Sequence, residues 1–414
     1  MNLNWQESLR NKQKEILTML RFGYFLNIVV CCSVMNIVFA DQSANQNLQA
    51  FQSKLIDLAF QTATKIPVDP HIKDRSKSQE LVIQTCLELN QPEQAMESID
   101  SIKNWRRGSC YADLALYYAQ NGESEKINQY LNLAEKISEE TEDWRRDHIR
   151  VKIAQVHALL GDEEKANEYE SGVVESEVGK VDAVEASRID DEAFQEVIQS
   201  LEALVNQQSF DVLKNTLNAY AKLYERFYSN EEKRSLIEDK IKSSWTKIPV
   251  NIRIDVLIQL AEVSIHLSDN QKALQFADEA QSFLDQYQWK LEHKIPLTAR
   301  VIELRFKAGD QKTAESLAKE SLNLFIKNKQ QIVNIWRAGA LRPLAQAFKT
   351  IGDEYASLSV YKLAIDEGSI NPNSRPRAED LTATCCSMAL NSVEPDEELW
   401  ARINQIFKEL DQPW

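Results

Sequence analysis

The chain has 414 residues, 43% of them hydrophobic and 27% charged, with a formal net charge of −15. Those proportions exclude wholesale disorder. So negative a balance repels phosphate backbones and anionic lipid surfaces, which excludes nucleic-acid binding outside a local basic patch.

Ten glycines and ten prolines are too few for the turns of a β-sandwich or a dinucleotide-binding α/β fold. That leaves an almost entirely helical chain, long enough for two or three domains or one elongated array. The first 40 residues hold four basic side chains (Arg10, Lys12, Lys14, Arg21) and two acidic ones (Glu7, Glu15), so the rest is near −17.

In chain order, the first element is an address. Residues 22–40 read FGYFLNIVVCCSVMNIVFA, without a charge, behind Arg21 and ahead of the polar DQSANQN. Val38 and Ala40 put small side chains at the −3 and −1 positions of a signal-peptidase site, so residues 1–40 are expected to be a signal peptide cleaved between Ala40 and Asp41. Met19 offers a tidier start. A retained membrane anchor is the alternative, weakened by Asn27, Ser33 and Asn36; a lipoprotein Cys31 is disfavoured by Val30 before it. No Asn has Ser or Thr two positions on, so there is no N-glycosylation acceptor. The expected location is therefore periplasmic or secreted, in a bacterium.

A capping helix near 45–62 follows, within a lead-in of residues 41–74. Then the chain repeats itself. WRRGSCYADLALYYAQNG, starting at Trp105, is echoed 39 residues later by WRRDHIRVKIAQVHALLG, starting at Trp144. Tyr111, Leu114, Ala115 and Tyr118 share one helix face, and Asn121-Gly122 ends it, because Gly accepts the left-handed C′ conformation. Ile127, Leu131 and Ala134 mark a second helix.

Comparable hairpins are expected to turn near Asn90, at Gly161, near Gln207, at Ser268-Asp269, at Gly309, at Gly352 and near Asn391. About eight such units give a period of roughly 43 residues, within the range of helical-pair solenoids. Lys-Ile-Pro precedes a helix at Lys65–Pro67, Lys247–Pro249 and Lys294–Pro296, where proline suits the first turn. Residues 171–182, SGVVESEVGKVD, lack a helical stripe and divide an array over 75–170 from a longer one over 183–414. A further interruption falls at 367–377.

These motifs resemble the tetratricopeptide repeat family. The matches are Tyr111, Leu114-Ala115, Tyr118, Gly122, Ile127, Leu131 and Ala134; Leu341, Leu344-Ala345, Phe348, Gly352-Asp353, Tyr361 and Ala364; and Leu257, Leu260-Ala261, Ser268, Ala273, Ala277 and Ala280. The resemblance implies an all-α, right-handed superhelix of hairpins whose concave groove takes a protein or peptide, with Ala115 and Ala345 where paired helices cross closely. Spacings of 39 to 43 residues between turns exceed that family's 34, so a less regular superhelix is expected.

Catalytic signatures are missing: no GxSxG, HExxH, GxGxxG or phosphate-gripping loop. The histidines (His71, His148, His157, His266, His293) are scattered. Glu262 and His266, at i and i+4, could be half a metal site, but a surface charge pair needs no further ligands. Glu139-Glu140 and Glu163-Glu164 fit solvated helix ends. Cys86 and Cys110 could pair in an oxidising compartment, though buried thiols are commoner in such arrays. No cofactor or metal is expected.

Three Trp-Arg pairs stand out: Trp105-Arg106, Trp144-Arg145 and Trp336-Arg337. Each heads a hairpin, and Arg75, Arg253 and Arg377 hold the matching place elsewhere. A cation at a helix start opposes the macrodipole, so its recurrence asks for a cause. One is a ladder of salt bridges between repeats. The other is a rim of guanidinium and indole groups reading a partner, since Trp and Arg dominate interface hot spots. The functional expectation is an exported, non-catalytic binding scaffold. A cell-envelope enzyme acting on a glycan from a helical toroid, and a structural assembly subunit, are the alternatives. An enzyme would need a deep pocket with two carboxyls about 5–9 Å apart.

Overall fold

The computed structural model describes residues 48–206 and 209–414. The expected signal segment, its Ala40–Asp41 cleavage site, Met19 and Cys31 lie outside the described residues.

Among the described residues there are helices and no strands. In chain order they are α1 (Ala50–Lys65), α2 (Ile72–Glu88), α3 (Pro92–Ile99), α4 (Arg106–Gln120), α5 (Ser124–Glu139), α6 (Asp143–Leu160) and α7 (Glu163–Glu170). The middle holds α8 (Asp182–Ala186), α9 (Phe194–Val205), α10 (Phe210–Arg226), α11 (Glu231–Ser243), α12 (Val250–His266) and α13 (Asn270–Gln286). The last are α14 (Leu291–Lys307), α15 (Gln311–Asn328), α16 (Asn334–Thr350), α17 (Glu354–Ser369), α18 (Ser374–Leu390) and α19 (Glu397–Lys408). No described helix is long and apolar enough to cross a membrane.

The hairpin turns follow from local chemistry. Gly309 and Gly352 adopt φ of 94° and 82°, a left-handed conformation that costs a residue with a Cβ. Asp310 and Asp353 then cap the next helix, each accepting a hydrogen bond from the backbone N–H three residues on, Thr313 and Ala356. Ser268 takes the left-handed position with φ of 64°, and Asp269 caps α13 through the Lys272 N–H at 2.9 Å. The paired helices cross tightly. Ala115 and Ala345 are fully buried, and Ser357 of α17 donates to the Ala345 carbonyl at 2.8 Å.

The even-numbered helices α2 to α18 pack side by side, each beside the next, and the odd-numbered helices cover their outer flanks. This is a helical repeat protein. Its ends meet: α18 packs along α1 as closely as helices do within the hairpins, and it also touches α2. The two run antiparallel. Gln52 donates to the Ala389 carbonyl at 2.8 Å, and Thr382 to the Ala59 carbonyl at 3.3 Å. Thus α1 is no cap on an open array. It fills the second-helix place beside α18 and closes the described chain into a ring. Over the seam lies α19, where Lys54 sits 4.0 Å from the centre of the Trp400 ring and Lys65 donates to the Phe407 carbonyl at 2.7 Å.

The middle of the chain departs from the expected register. Gln207, where a turn is expected, lies outside the described residues; the described turn of this stretch follows α10 at Phe227–Asn230, where the Asn230 side chain caps α11. Nor is 171–182 a gap between two arrays. Asn215 of α10 donates to the Ser176 and Val178 carbonyls at 3.3 and 2.8 Å, and Asp147 of α6 accepts the Val174 N–H at 3.0 Å. Irregular backbone here is satisfied from both neighbours, so the two expected arrays belong to one compact unit spanning Leu48–Trp414.

Candidate functional site

Connections that join one hairpin to the next put the six expected arginines at the heads of even-numbered helices. Most of them are occupied. Arg75, Arg253 and Arg337 donate to the carbonyls of Ile66, Ile248 and Ile332 at 3.0, 3.1 and 2.9 Å, and these three isoleucines are buried. Each guanidinium thereby satisfies a carbonyl that the tight connection leaves without a helical partner. Arg377 likewise reaches the Glu409 carbonyl and the Ser374 hydroxyl.

Arg337 goes further, pairing with Glu367 at 3.0 Å while Lys329 holds the other carboxylate oxygen at 2.5 Å. Arg106 pairs with Glu80 of the preceding even-numbered helix, which also accepts from Ser109 at 3.2 Å.

A polar ladder continues around the ring between neighbouring even-numbered helices. Lys152 meets Asp113 at 2.7 Å, Gln259 meets Asn218 at 3.1 Å, and Arg300 pairs with Asp255. Gln346 donates to Glu303 at 3.1 Å, and Arg342 pairs with Asp380 at 2.9 Å. Partners are 38 to 45 residues apart, about one repeat. Burial works against the charge on Lys152, but the Asp113 carboxylate outweighs it and raises its pKa. Burial raises the Asp380 carboxyl despite Arg342. A ladder between repeats therefore exists, but mid-helix residues make most of it.

Of the Trp-Arg pairs, two come together. The Trp105 and Trp144 rings meet edge to face with centroids 5.3 Å apart, and His148 approaches Trp105 at 5.5 Å. Trp144 is 46% exposed. Arg145 lies 5.8 Å from the Trp144 ring centre and touches only the exposed Asp143, at 3.6 Å. His148 is held by Glu177 at 3.2 Å. Trp336, 55% exposed, stands elsewhere on the ring, beside a buried Arg337. The six expected binding residues thus separate. Arg106 and Arg337 are tied into the fold, while Trp105, Trp144 and Arg145 make a partly exposed aromatic and cationic group.

Sequence reasoning passed over Glu303. It is buried on α14, its carboxyl is raised by burial against the pull of Lys307, Gln346 and Thr350, and Glu262 is close enough to raise it further. No group of three His, Cys, Asp or Glu among the described residues could hold a metal, so Glu262 and His266 gain no further ligands. A cavity of about 10 Å³ beside Ala364, Gly368, Asp380 and Ile406 holds a single water at most. Cys86 and Cys110 are not joined; they and Cys385 and Cys386 are free and buried. Burial pushes the Cys86 and Cys386 thiols up to about 12, which keeps them unreactive.

No family model matches the chain, and no curated protein matches it. One solved structure that the chain resembles is described as "Circular tandem repeat protein with novel repeat topology and enhanced subunit contact surfaces". It is 14% identical, with 87% of this chain and 94% of that chain covered, and the TM-score is 0.26.

Proposed function

We propose that the protein is an exported, non-catalytic binding scaffold of tetratricopeptide-like hairpins, whose partner is a protein or peptide rather than a nucleic acid. The observation that carries this is the Trp105–Trp144–His148 cluster with Arg145 beside it. Indoles packed edge to face offer large contact area at little entropic cost, and an Arg whose ion pair is with the exposed Asp143 can exchange it for a partner's carboxylate. Export rests on the charge-free run 22–40 and its small residues at Val38 and Ala40.

Affinity capture on the mature chain, compared with a Trp144→Ser/Arg145→Ser variant of unchanged melting temperature, tests the binding role. Partners held by the wild type and lost by the variant would support it. Identical captured sets would end it. N-terminal sequencing of the exported protein tests the processing, and a chain beginning at Met1 or Met19 would refute cleavage at Ala40–Asp41.

A further inference from the structure

We propose that the rim carrying the connections before α12, α14, α16 and α18 docks on the surface of an anionic lipid bilayer. Two features coincide on that arc. The first is charge. Residues 240–253, KIKSSWTKIPVNIR, hold Lys240, Lys242, Lys247 and Arg253, and residues 326–337, IKNKQQIVNIWR, hold Lys327, Lys329 and Arg337; neither stretch has an acidic residue. Lys240, Lys242, Lys329 and Arg337 are met by Glu202, Glu279 and Glu367. The charge offered outward is therefore that of Lys247, Lys327 and, further along the arc, Lys290, which are exposed and form a local exception to the overall repulsion of a chain of net charge −15 from anions.

The second feature is exposed apolar surface. Ile326, Val333, Ile335, Trp336 and Ile370 are each at least 41% exposed. Lys329 and Arg337 both bind Glu367, three residues before Ile370, which brings the 326–337 connection and the end of α17 to one place. Further along the arc, Tyr287 is exposed, Trp289 is half-buried and Lys290 is exposed.

The chemistry of these side chains selects the ligand. Aliphatic groups on protruding connections, with Trp, Tyr and Lys among them, match the headgroup–acyl boundary, where each residue type finds its solvent. A single-stranded nucleic acid would use aromatic platforms and gain nothing from four exposed aliphatics. The opposite rim, where the odd-numbered helices begin, is acidic at Glu163-Glu164 and Glu231-Glu232. It is repelled by the same surface, so the ring is oriented with the arc toward the membrane.

The test uses the chain beginning at Asp41, which contains the whole compact unit and omits the apolar run 22–40. It is sedimented with sucrose-loaded vesicles of phosphatidylglycerol and phosphatidylcholine in equal parts, or of phosphatidylcholine alone. Binding to the mixed vesicles, suppressed by high salt and weak on phosphatidylcholine, is expected. Ile335→Ser/Trp336→Ser should lower partitioning about tenfold, and Lys290→Gln/Lys327→Gln should weaken binding to the anionic vesicles only. All four side chains project outward, so melting temperatures should hold. Failure to bind anionic vesicles, or equal binding by the variants, overturns the proposal. So does retention on immobilised polyglutamate without vesicle binding, which would assign the arc to an acidic protein. Neither result bears on Trp144 and Arg145, which lie outside the arc.

Discussion

Arg337 and Glu367 form a buried ion pair 3.0 Å apart, their side chains 11% and 3% exposed, with the Arg337 Nε also bound to the Ile332 carbonyl. Removing Arg337 leaves the buried Glu367 carboxylate to Lys329 alone and takes the donor from the Ile332 carbonyl. Arg337→Met should therefore be strongly destabilising, up to the ~3–5 kcal/mol of a broken buried pair, read from denaturant unfolding. The double variant Arg337→Met/Glu367→Leu should recover part of that loss, because no buried charge remains and Lys329, 37% exposed, can turn to solvent. By contrast Arg145→Gln should change stability by less than about 1 kcal/mol, since its only partner is an exposed Asp143. A large loss for Arg145→Gln, or none for Arg337→Met, would contradict this division of the arginines.

Closure of the ring couples residues at opposite ends of the chain. Leu381 of α18 is buried and neighbours Thr382, which donates to Ala59 of α1. Leu381→Ala should cost about 2–5 kcal/mol. Its amide-exchange signature is the sharper readout: protection should fall in α1 and α2, more than 290 residues earlier in sequence, as well as in α18. An open array would confine the loss to α16 through α19.

The hairpins were legible because their signals are local. Gly309, Gly352 and Asp269 act within a few residues of themselves. Closure was not, because the curvature that brings α18 to α1 accumulates over the whole array and no short pattern encodes it. The turn at Phe227–Asn230 was not legible because Asn230 does the work of a Gly-Asp turn, and α8 has five residues, too few for a periodic stripe. The Trp-Arg phrases look alike in sequence but meet different surroundings. At the end of α17 a carboxylate, Glu367, reaches Arg337. Arg145 has no counterpart, because α7 is only eight residues long and Glu177 beyond it is taken by His148 and Lys180. The ladder could have been sought as opposite charges one repeat apart in mid-helix, as with Asp113 and Lys152.

Gly108, inside the first Trp-Arg phrase, marks a close helix crossing. A Cβ built there would lie 2.9 Å from atoms of both Ile137 and Ile149, and both isoleucines are buried. Gly108→Ala should therefore destabilise by about 1–3 kcal/mol through overpacking, even though alanine is the better helix former. Adding Ile149→Val should return part of the loss by removing the clashing Cδ1 methyl. A melting temperature raised by Gly108→Ala would mean that α4 stands further from α5 and α6 than the structure places it.

Asp269 ties stability to pH. Its carboxylate accepts the Lys272 N–H at 2.9 Å and the Tyr228 hydroxyl at 2.9 Å, and these bonds, with the nearby cations Arg234 and Lys272, hold its pKa below the ordinary 3.8. A depressed folded-state pKa means that the unfolded chain takes up the proton first. The stabilisation is present in full above the ordinary value and fades as pH falls through the folded one. Asp269→Ala should cost about 1 kcal/mol at neutral pH, the usual worth of a helix N-cap. Asp269→Asn, which keeps an acceptor oxygen, should cost less. Urea unfolding of the three proteins across acidic pH is the measurement. The gap between wild type and Asp269→Ala should hold from pH 7 down to about 4 and narrow below it, while the gap between the Asn and Ala variants stays level. A difference independent of pH would show that the carboxylate's charge contributes nothing to the cap.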